Sequence, residues 1–360
     1  MNRADEEAAL LRVVVGRPGP VVPESATWAA WTGLAGMKRV APLLYQLVDT
    51  TPTDLSDEQR QNVHHLQEGV MSRCVQLEHH LIVVAELLAE HGIRSAVLKG
   101  GATAHLDYPD PSWREFSDID LLIDPADRIR ATALLGREGW IQGYALPRGH
   151  EHYTHAVTLV RERMELDLHQ RIGHRALGLL VPTGELLDHA VPFAVAGFEL
   201  LALDEVDRLI HSALHLVASR RSDGRLSSVA DVLLAAERRP HIAAEVVARA
   251  ERWRVRSLVE RGVLDAYEAA ELDVHADWAS AMRRPNLHRD RLVDRAYLSA
   301  ARRPLTEEIA YLRLLVGWRN RWRYVRGYLA TDRDYAVQHG RSGVVAQARY
   351  LVSKLRSGAP

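Results

Sequence analysis

The segment Ser117-Asp118-Ile119-Asp120-Leu121-Leu122-Ile123-Asp124 constrains this chain more than any other stretch. Read as an extended strand, its side chains alternate between two faces. Ser117, Ile119, Leu121 and Ile123 then share one face, suited to packing on helices, while Asp118, Asp120, Leu122 and Asp124 share the other. Neighbouring carboxylates repel, and burying them unpaired costs several kcal/mol. A divalent cation resolves that conflict, because hard ions such as Mg2+ take oxygen ligands and keep positions open for phosphate oxygens and water.

A second stretch, Met164-Glu165-Leu166-Asp167-Leu168-His169, alternates in the same way, with Met164, Leu166 and Leu168 inward and Glu165, Asp167 and His169 outward. Placed beside the first strand it brings a third carboxylate, Asp167, to the same ions. Two ions so held clamp the attacking and leaving oxygens of a displacement at phosphorus. Upstream, Lys99-Gly100-Gly101 ends a short buried-strand candidate at 95–99. A glycine pair lets backbone approach a phosphate closely, and a helix beginning there points its N–H groups at the anion. Lys99 and Arg114 are candidate charge partners for a triphosphate.

These strands lie in an island between helical regions. Helical spacing runs over 4–16, 26–49 and 56–91, with Pro42 expected to split or kink the second and Ser56-Asp57-Glu58 to open the third. Further strands are expected over Trp140–Ala145, His152–Val160 and Arg163–Arg171. From about residue 183 everything reads as helix: 183–190, 204–219, 225–238, 241–252, 255–271, 289–301, 306–330 and 340–356. The expectation is an α+β fold, a small mixed-sheet core at 92–175 flanked by an N-terminal helical region, 1–91, and a C-terminal helical domain, 176–360.

Composition narrows the partners. A formal net charge of -1 provides no bulk field toward nucleic acid or an anionic membrane. The sole cysteine, Cys74, rules out an intrachain disulfide and a multi-cysteine zinc cluster. No apolar run is long enough to span a bilayer, and the N-terminus lacks the pattern of a signal peptide. A cytoplasmic location is the expectation.

A glycine pair, an acid-hydrophobic-acid strand and a lone acid on a later strand together resemble the signature of the DNA polymerase beta nucleotidyltransferase superfamily. Within it, LKGG, an arginine shortly before SDIDLLID, and ELDLH resemble a bacterial nucleotidyltransferase family over roughly residues 90–240. His211, His215 and Asp231 are similar to that family's helix with two histidines followed by an aspartate-bearing helix. The resemblance implies Mg2+-dependent (or Mn2+-dependent) transfer of a nucleoside monophosphate from a nucleoside triphosphate such as ATP to an acceptor. Asp118, Asp120 and Asp167 would be the catalytic metal ligands, and Lys99, Gly100, Gly101 and Arg114 would hold the nucleotide. His169, His211 and His215 would line an acceptor pocket. The acceptor itself, a small molecule, sugar or peptide, is left open, as are base preference and oligomeric state; a nucleic acid is not expected. In one departure, Gly101 stands where better-known superfamily members often have serine, so only backbone contacts remain there.

Blander readings stand beside these. Asp-x-Asp on a strand also fits a sheet edge with solvated acids, or a glycosyltransferase using a nucleotide-sugar. A catalytically silent nucleotide- or protein-binding module is a third possibility. Asp124, ahead of Pro125, reads as a helix cap rather than a ligand; Glu165 is the substitute third ligand. His211 and His215 have the i, i+4 spacing of a zinc pair but no evident third ligand, so packing competes with a pocket role. His150, His152 and His155 read as surface residues. The run from Trp318 to Arg326 could grip nucleic acid through arginines and aromatic rings. The favoured reading is an amphipathic helix with Trp318, Trp322 and Val325 facing the core.

Overall fold

The computed structural model describes residues 3–17, 19, 21–144, 153–219, 226–299 and 304–329. Among the described residues, seven strands form one mixed sheet: β1 (Ser95–Val97), β2 (Ile119–Ile123), β3 (Ile141–Gln142), β4 (Ala156–Arg161), β5 (Met164–His169), β6 (Val191–Val195) and β7 (Phe198–Ala202). Their order is β3-β4-β5-β2-β1-β7-β6. β2 runs parallel to β5 and antiparallel to β1, which runs parallel to β7. Helices cover both faces, which gives the expected α+β architecture.

The alternation in β2 is what separates the two faces. Ile119, Leu121 and Ile123 join Leu166 and Leu168 in a core beneath the long helix Asp57–Glu90, against Leu77, Leu81 and Leu88. Burying each such side chain contributes about 1.5–3 kcal/mol. Leu122 faces the other way, into a core shared with Leu209, Leu214, Val232 and Leu258 of the later helices. Asp118 and Asp120 share the Leu122 face by register, so the acids open toward the C-terminal helices. The N-terminal helices Arg3–Val14, Trp28–Lys38 and Ala41–Thr50 contribute Leu10, Trp31 and Leu44 to that second core as well.

Several local expectations hold. Ser56 begins the long helix with a capping box: Gln59 N–H donates to Ser56 Oγ at 3.3 Å, and Ser56 N–H donates to Gln59 Oε1 at 2.9 Å. Pro42 sits in the first turn of a separate helix, splitting 26–49 in two. Asp124 caps the turn after β2 by accepting from Ala126 N–H at 2.8 Å.

Others do not. The stretch after 183 contains a hairpin, β6–β7, which extends the sheet on the β1 side. Its two-residue turn, Ala196-Gly197, has φ of 49° and 86°, the left-handed pair that matches strand twist. Alanine there carries none of the turn signal of Asn or Asp, and mixed apolar residues on both strands blurred the alternation. Gly317, with φ 82°, breaks the expected 306–330 helix into Pro304–Leu314 and Trp318–Leu329. The break resets the helical phase: Trp318 and Trp322 are 72% and 57% exposed, and Tyr324, 5% exposed, packs instead with Tyr311 and Leu315. The expectation of core-facing tryptophans is therefore corrected. The 340–356 helix, His150, His152 and Ala145 lie outside the described residues.

Candidate functional site

The parallel register of β2 and β5 sets Asp120 directly beside Asp167, with Ile119 beside Leu166 and Leu121 beside Leu168. Asp120 is buried at 5% exposure, and its Oδ1 accepts from Lys99 Nζ at 2.6 Å and from His169 Nε2–H at 2.7 Å. Asp167 Oδ1 accepts from the Thr158 hydroxyl of β4 at 2.5 Å. One donor atom each from Asp120, Asp167 and His169 lies within 4.8 Å of the others. Asp118, one residue before β2, accepts from Ser117 Oγ–H at 3.1 Å, and Arg39 in turn donates to Ser117 Oγ.

Two cavities meet here. A small one of about 60 Å³ is lined by Arg39, Lys99, Gly100, Asp118, Asp120 and His211, among others. A larger one of about 490 Å³ is lined by Asp118, Asp167 and the imidazoles of His155, His169, His174 and His215, with Leu177, Leu214 and Tyr297 as apolar wall. Lys99, Asp118 and His215 belong to both linings. Asp167 and His169 thus face the roomier side, while Gly100 and Asp120 face the narrower one.

Electrostatics follow from this crowding. Burial raises the Asp118 carboxyl above its ordinary value, and the charges of Asp120 and Asp167 add to the rise. Burial pushes Asp120 the same way, but Lys99 and the His169 hydrogen bond outweigh it and hold that carboxyl well below the usual range. For Lys99 burial disfavours the ammonium, yet Asp120, Asp118 and Asp167 raise it on balance. Glu165, the substitute ligand, is raised by burial and then by Asp167; it falls outside the tight donor cluster, and so does Asp118, whose place His169 takes.

The strand-to-helix junction after β1 explains LKGG. Lys99 takes φ 45°, a left-handed conformation that costs an L-residue of order 1–3 kcal/mol. The helix Lys99–Leu106 then begins, with Lys99 and Gly100 in the wall of the cavity that Asp118 and Asp120 also line. A Cβ on Gly100 would lie 2.4 Å from Phe116 Cβ, so glycine is what lets the 116–118 segment close over the helix start. Gly101 turns inward; a Cβ there would meet Val97 and Leu81 at 3.2 and 3.4 Å. Of the expected pair, Gly100 reaches the cavity and Gly101 packs the core.

Arg114 also lines the small cavity, but it is occupied: Nε and Nη2 donate to the two Asp231 oxygens at 2.7 and 2.8 Å, and Tyr108 Oη–H donates to Asp231 at 2.9 Å. The guanidinium locks the loop before β2 onto helix Leu226–Arg238. His211 and His215 sit on helix Glu205–Ser219 above the acids. His211 is 3% exposed and its Nε2 has no hydrogen-bond partner. Burial, then the Lys99 charge, pushes its imidazole well below the ordinary histidine value. Neither histidine belongs to a metal-capable cluster among the described residues.

Three participants escaped the sequence reading. Arg39 reaches the site from a helix C-terminus with φ 55°, and no local pattern marks it. His155, expected at the surface, lines the larger cavity with its ring 3.5 Å from that of His174 and 5.5 Å from that of His169. Burial, then those neighbours, drives its pKa down. Asp231 was noted only as a likeness and proves to be the anchor for Arg114.

Among the described residues, Asp118, Asp120 and Asp167 outnumber the two cations beside them, Lys99, which is paired with Asp120, and Arg39, which donates to Ser117; Arg175, in the larger cavity's wall, is paired with Glu307 and Glu308. That surplus of hard oxygen donors beside open space fits a divalent cation. A family model described as an uncharacterised nucleotidyltransferase matches residues 24–270, more than half of the chain. No curated protein matches the sequence.

Proposed function

The chain belongs to the uncharacterised nucleotidyltransferase family, and on that premise we propose that it transfers a nucleoside monophosphate from a nucleoside triphosphate, ATP foremost, to an acceptor hydroxyl in the cytoplasm. The observation that carries the reading is the register of β2 and β5, which sets Asp120 beside Asp167 at the edge of a cavity that also holds Asp118. In the transfer, a bond forms between the acceptor oxygen and the α-phosphorus while the bond from that phosphorus to the bridging oxygen breaks. Pyrophosphate leaves, and the acceptor proton passes to a base.

Asp167 is suited to be that base. It borders the larger cavity, and the Thr158 hydroxyl fixes its carboxylate. Asp118, Asp120 and Asp167 would hold Mg2+ (or Mn2+), which would neutralise phosphate charge and polarise the phosphoryl group. The phosphates lie toward the smaller cavity, against the N–H groups at Gly100 and the charges of Lys99 and Arg39. Arg114 acts at one remove, by fixing the loop that carries Asp118. The acceptor, a small molecule, sugar or peptide, enters the larger cavity, where His169 and His215 can orient its hydroxyl.

The test is transfer of label from α-labelled ATP to a pool of candidate acceptors, with release of pyrophosphate. The Asp118→Asn, Asp120→Asn double variant is expected to be silent. Full transfer by that variant, or release of a nucleoside diphosphate from a nucleotide-sugar instead, overturns the proposal.

A further inference from the structure

Resting on that reading, we propose that the Lys99 ammonium is a resident counter-ion that keeps the catalytic cation from Asp120 until a triphosphate offers the ammonium a new partner. Lys99 Nζ and His169 Nε2 converge on the same oxygen, Asp120 Oδ1, at 2.6 and 2.7 Å. That oxygen is therefore fully engaged while no substrate is present. An arriving divalent ion has to compete with an ammonium already in hydrogen-bond contact with the most buried of the three carboxylates.

The placement of Lys99 allows the exchange. It is the hinge residue between β1 and the helix that follows, held at φ 45°, and its side chain is 24% exposed. It borders both cavities, and the larger of them is not lined by Asp120, so the side chain has open space beside it. A lysine makes a single-point contact on a flexible four-carbon stem, unlike the forked grip of arginine. A polyphosphate beside Gly100 would draw the ammonium across and vacate Asp120 Oδ1 in the same event. Divalent ion and triphosphate then bind as a coupled pair, and the coupling must be reciprocal. The ion would not settle in the site by itself, where three carboxylates and no substrate would hold it idle.

The test is calorimetric titration of the full chain with Mn2+, alone and with the α,β-methylene analogue of ATP at matched free Mn2+. The wild-type chain is expected to bind Mn2+ weakly alone and at least about tenfold more tightly with the analogue. Lys99→Met is expected to bind Mn2+ alone roughly tenfold more tightly than wild type, to gain little from the analogue, and to show a larger Mn2+-induced rise in Tm. Lys99→Gln, one atom shorter but with an uncharged N–H donor, should behave likewise. Variants that fold cooperatively yet bind Mn2+ no better than wild type overturn the counter-ion role and leave nucleotidyl transfer standing. If neither variant folds, wild type decides: no gain in Mn2+ affinity with the analogue overturns it. Wild type that binds neither Mn2+ nor the analogue overturns the transferase reading itself, and this one with it.

Discussion

Asp120, Asp167 and His169 on the sheet, and His189, Asp204 and Asp207 beside the hairpin, place their donor atoms alike, each set within 4.8 Å. The cation beside each set differs. In the second, Arg249 Nη1 donates to Asp204 Oδ2 at 2.7 Å and Asp207 Oδ1 at 2.8 Å, while Nη2 donates to Glu245 at 2.6 Å. Asp204 also caps the following helix by accepting from Asp207 N–H at 2.7 Å. Every group is tied to helix ends and to a rigid fork, and none of the three acids borders the two site cavities. At the first set, Lys99 faces the two carboxylates of the set and Asp118 besides, next to about 490 Å³ of open space. Ligand spacing alone does not separate this ion-pair network from the proposed catalytic set; surplus charge and open space do.

The sharpest way to break that comparison is to remove one carboxylate from each set. Asp120→Asn is expected to lower nucleotidyl transfer by about a hundred- to a thousandfold, the usual loss when charge stabilisation at the reacting centre is removed. Asp207→Asn should leave the rate near wild type and lower Tm. A transfer assay beside thermal unfolding of both variants distinguishes the roles, and an inactive but fully stable Asp207→Asn protein would erase the distinction. Next in size is Arg249→Met. Leaving buried Asp207 uncompensated is expected to cost about 3–5 kcal/mol in urea unfolding, with transfer per folded molecule unchanged. A cost below about 1 kcal/mol would put this network among solvated ion pairs.

How far this contrast was legible in the sequence depends on the range of the interaction. The alternation in Ser117–Asp124 and Met164–His169 announced both strands, their buried faces and the convergence of Asp120 with Asp167, because period-two patterning is a local property. The sequence also flagged Lys99 and Gly100, since a glycine at a strand end reports a close approach. It could not foresee that Gly101 would point to Leu81, or that Arg114 would be consumed by Asp231, 117 residues away. Arg39, His155 and the Arg249 network are likewise assembled by tertiary packing. The β6–β7 hairpin was missed because its turn uses Ala196, and the phase of the Trp318 helix was lost at Gly317.

Gly100→Ala should have a smaller effect, since it alters the frame around the acids rather than the acids themselves. Its Cβ would fall 2.4 Å from Phe116 Cβ, so the 116–118 segment must shift. Overpacking of this kind costs about 1–3 kcal/mol, and moving Asp118 with it should slow transfer while Gly101→Ala, with contacts at 3.2 and 3.4 Å, slows it less. Equal losses in the two variants would place both glycines at the phosphates and revise the division between cavity and core.

The smallest expected effect separates Asp118 from Asp120, two residues apart on one face. In the metal-free protein Asp120 is held below its ordinary value of 3.8, so it contributes stability above that pH and loses it as pH falls, when the unfolded chain takes up protons first. Asp118 is raised above 3.8, so its contribution is complete below that pH and is lost as pH rises through the raised value. Asp120→Asn should therefore lower Tm at neutral pH, with a gap to wild type that narrows on acidification toward pH 3. Asp118→Asn should raise Tm slightly at neutral pH, because a carboxylate crowded by Asp120 and Asp167 is removed, and that gain should likewise fade in acid. Chelator-treated protein followed by thermal unfolding from pH 7 to pH 3 measures both. Two variants that shift Tm in the same direction at neutral pH would mean that Lys99 neutralises the acids jointly rather than Asp120 in particular.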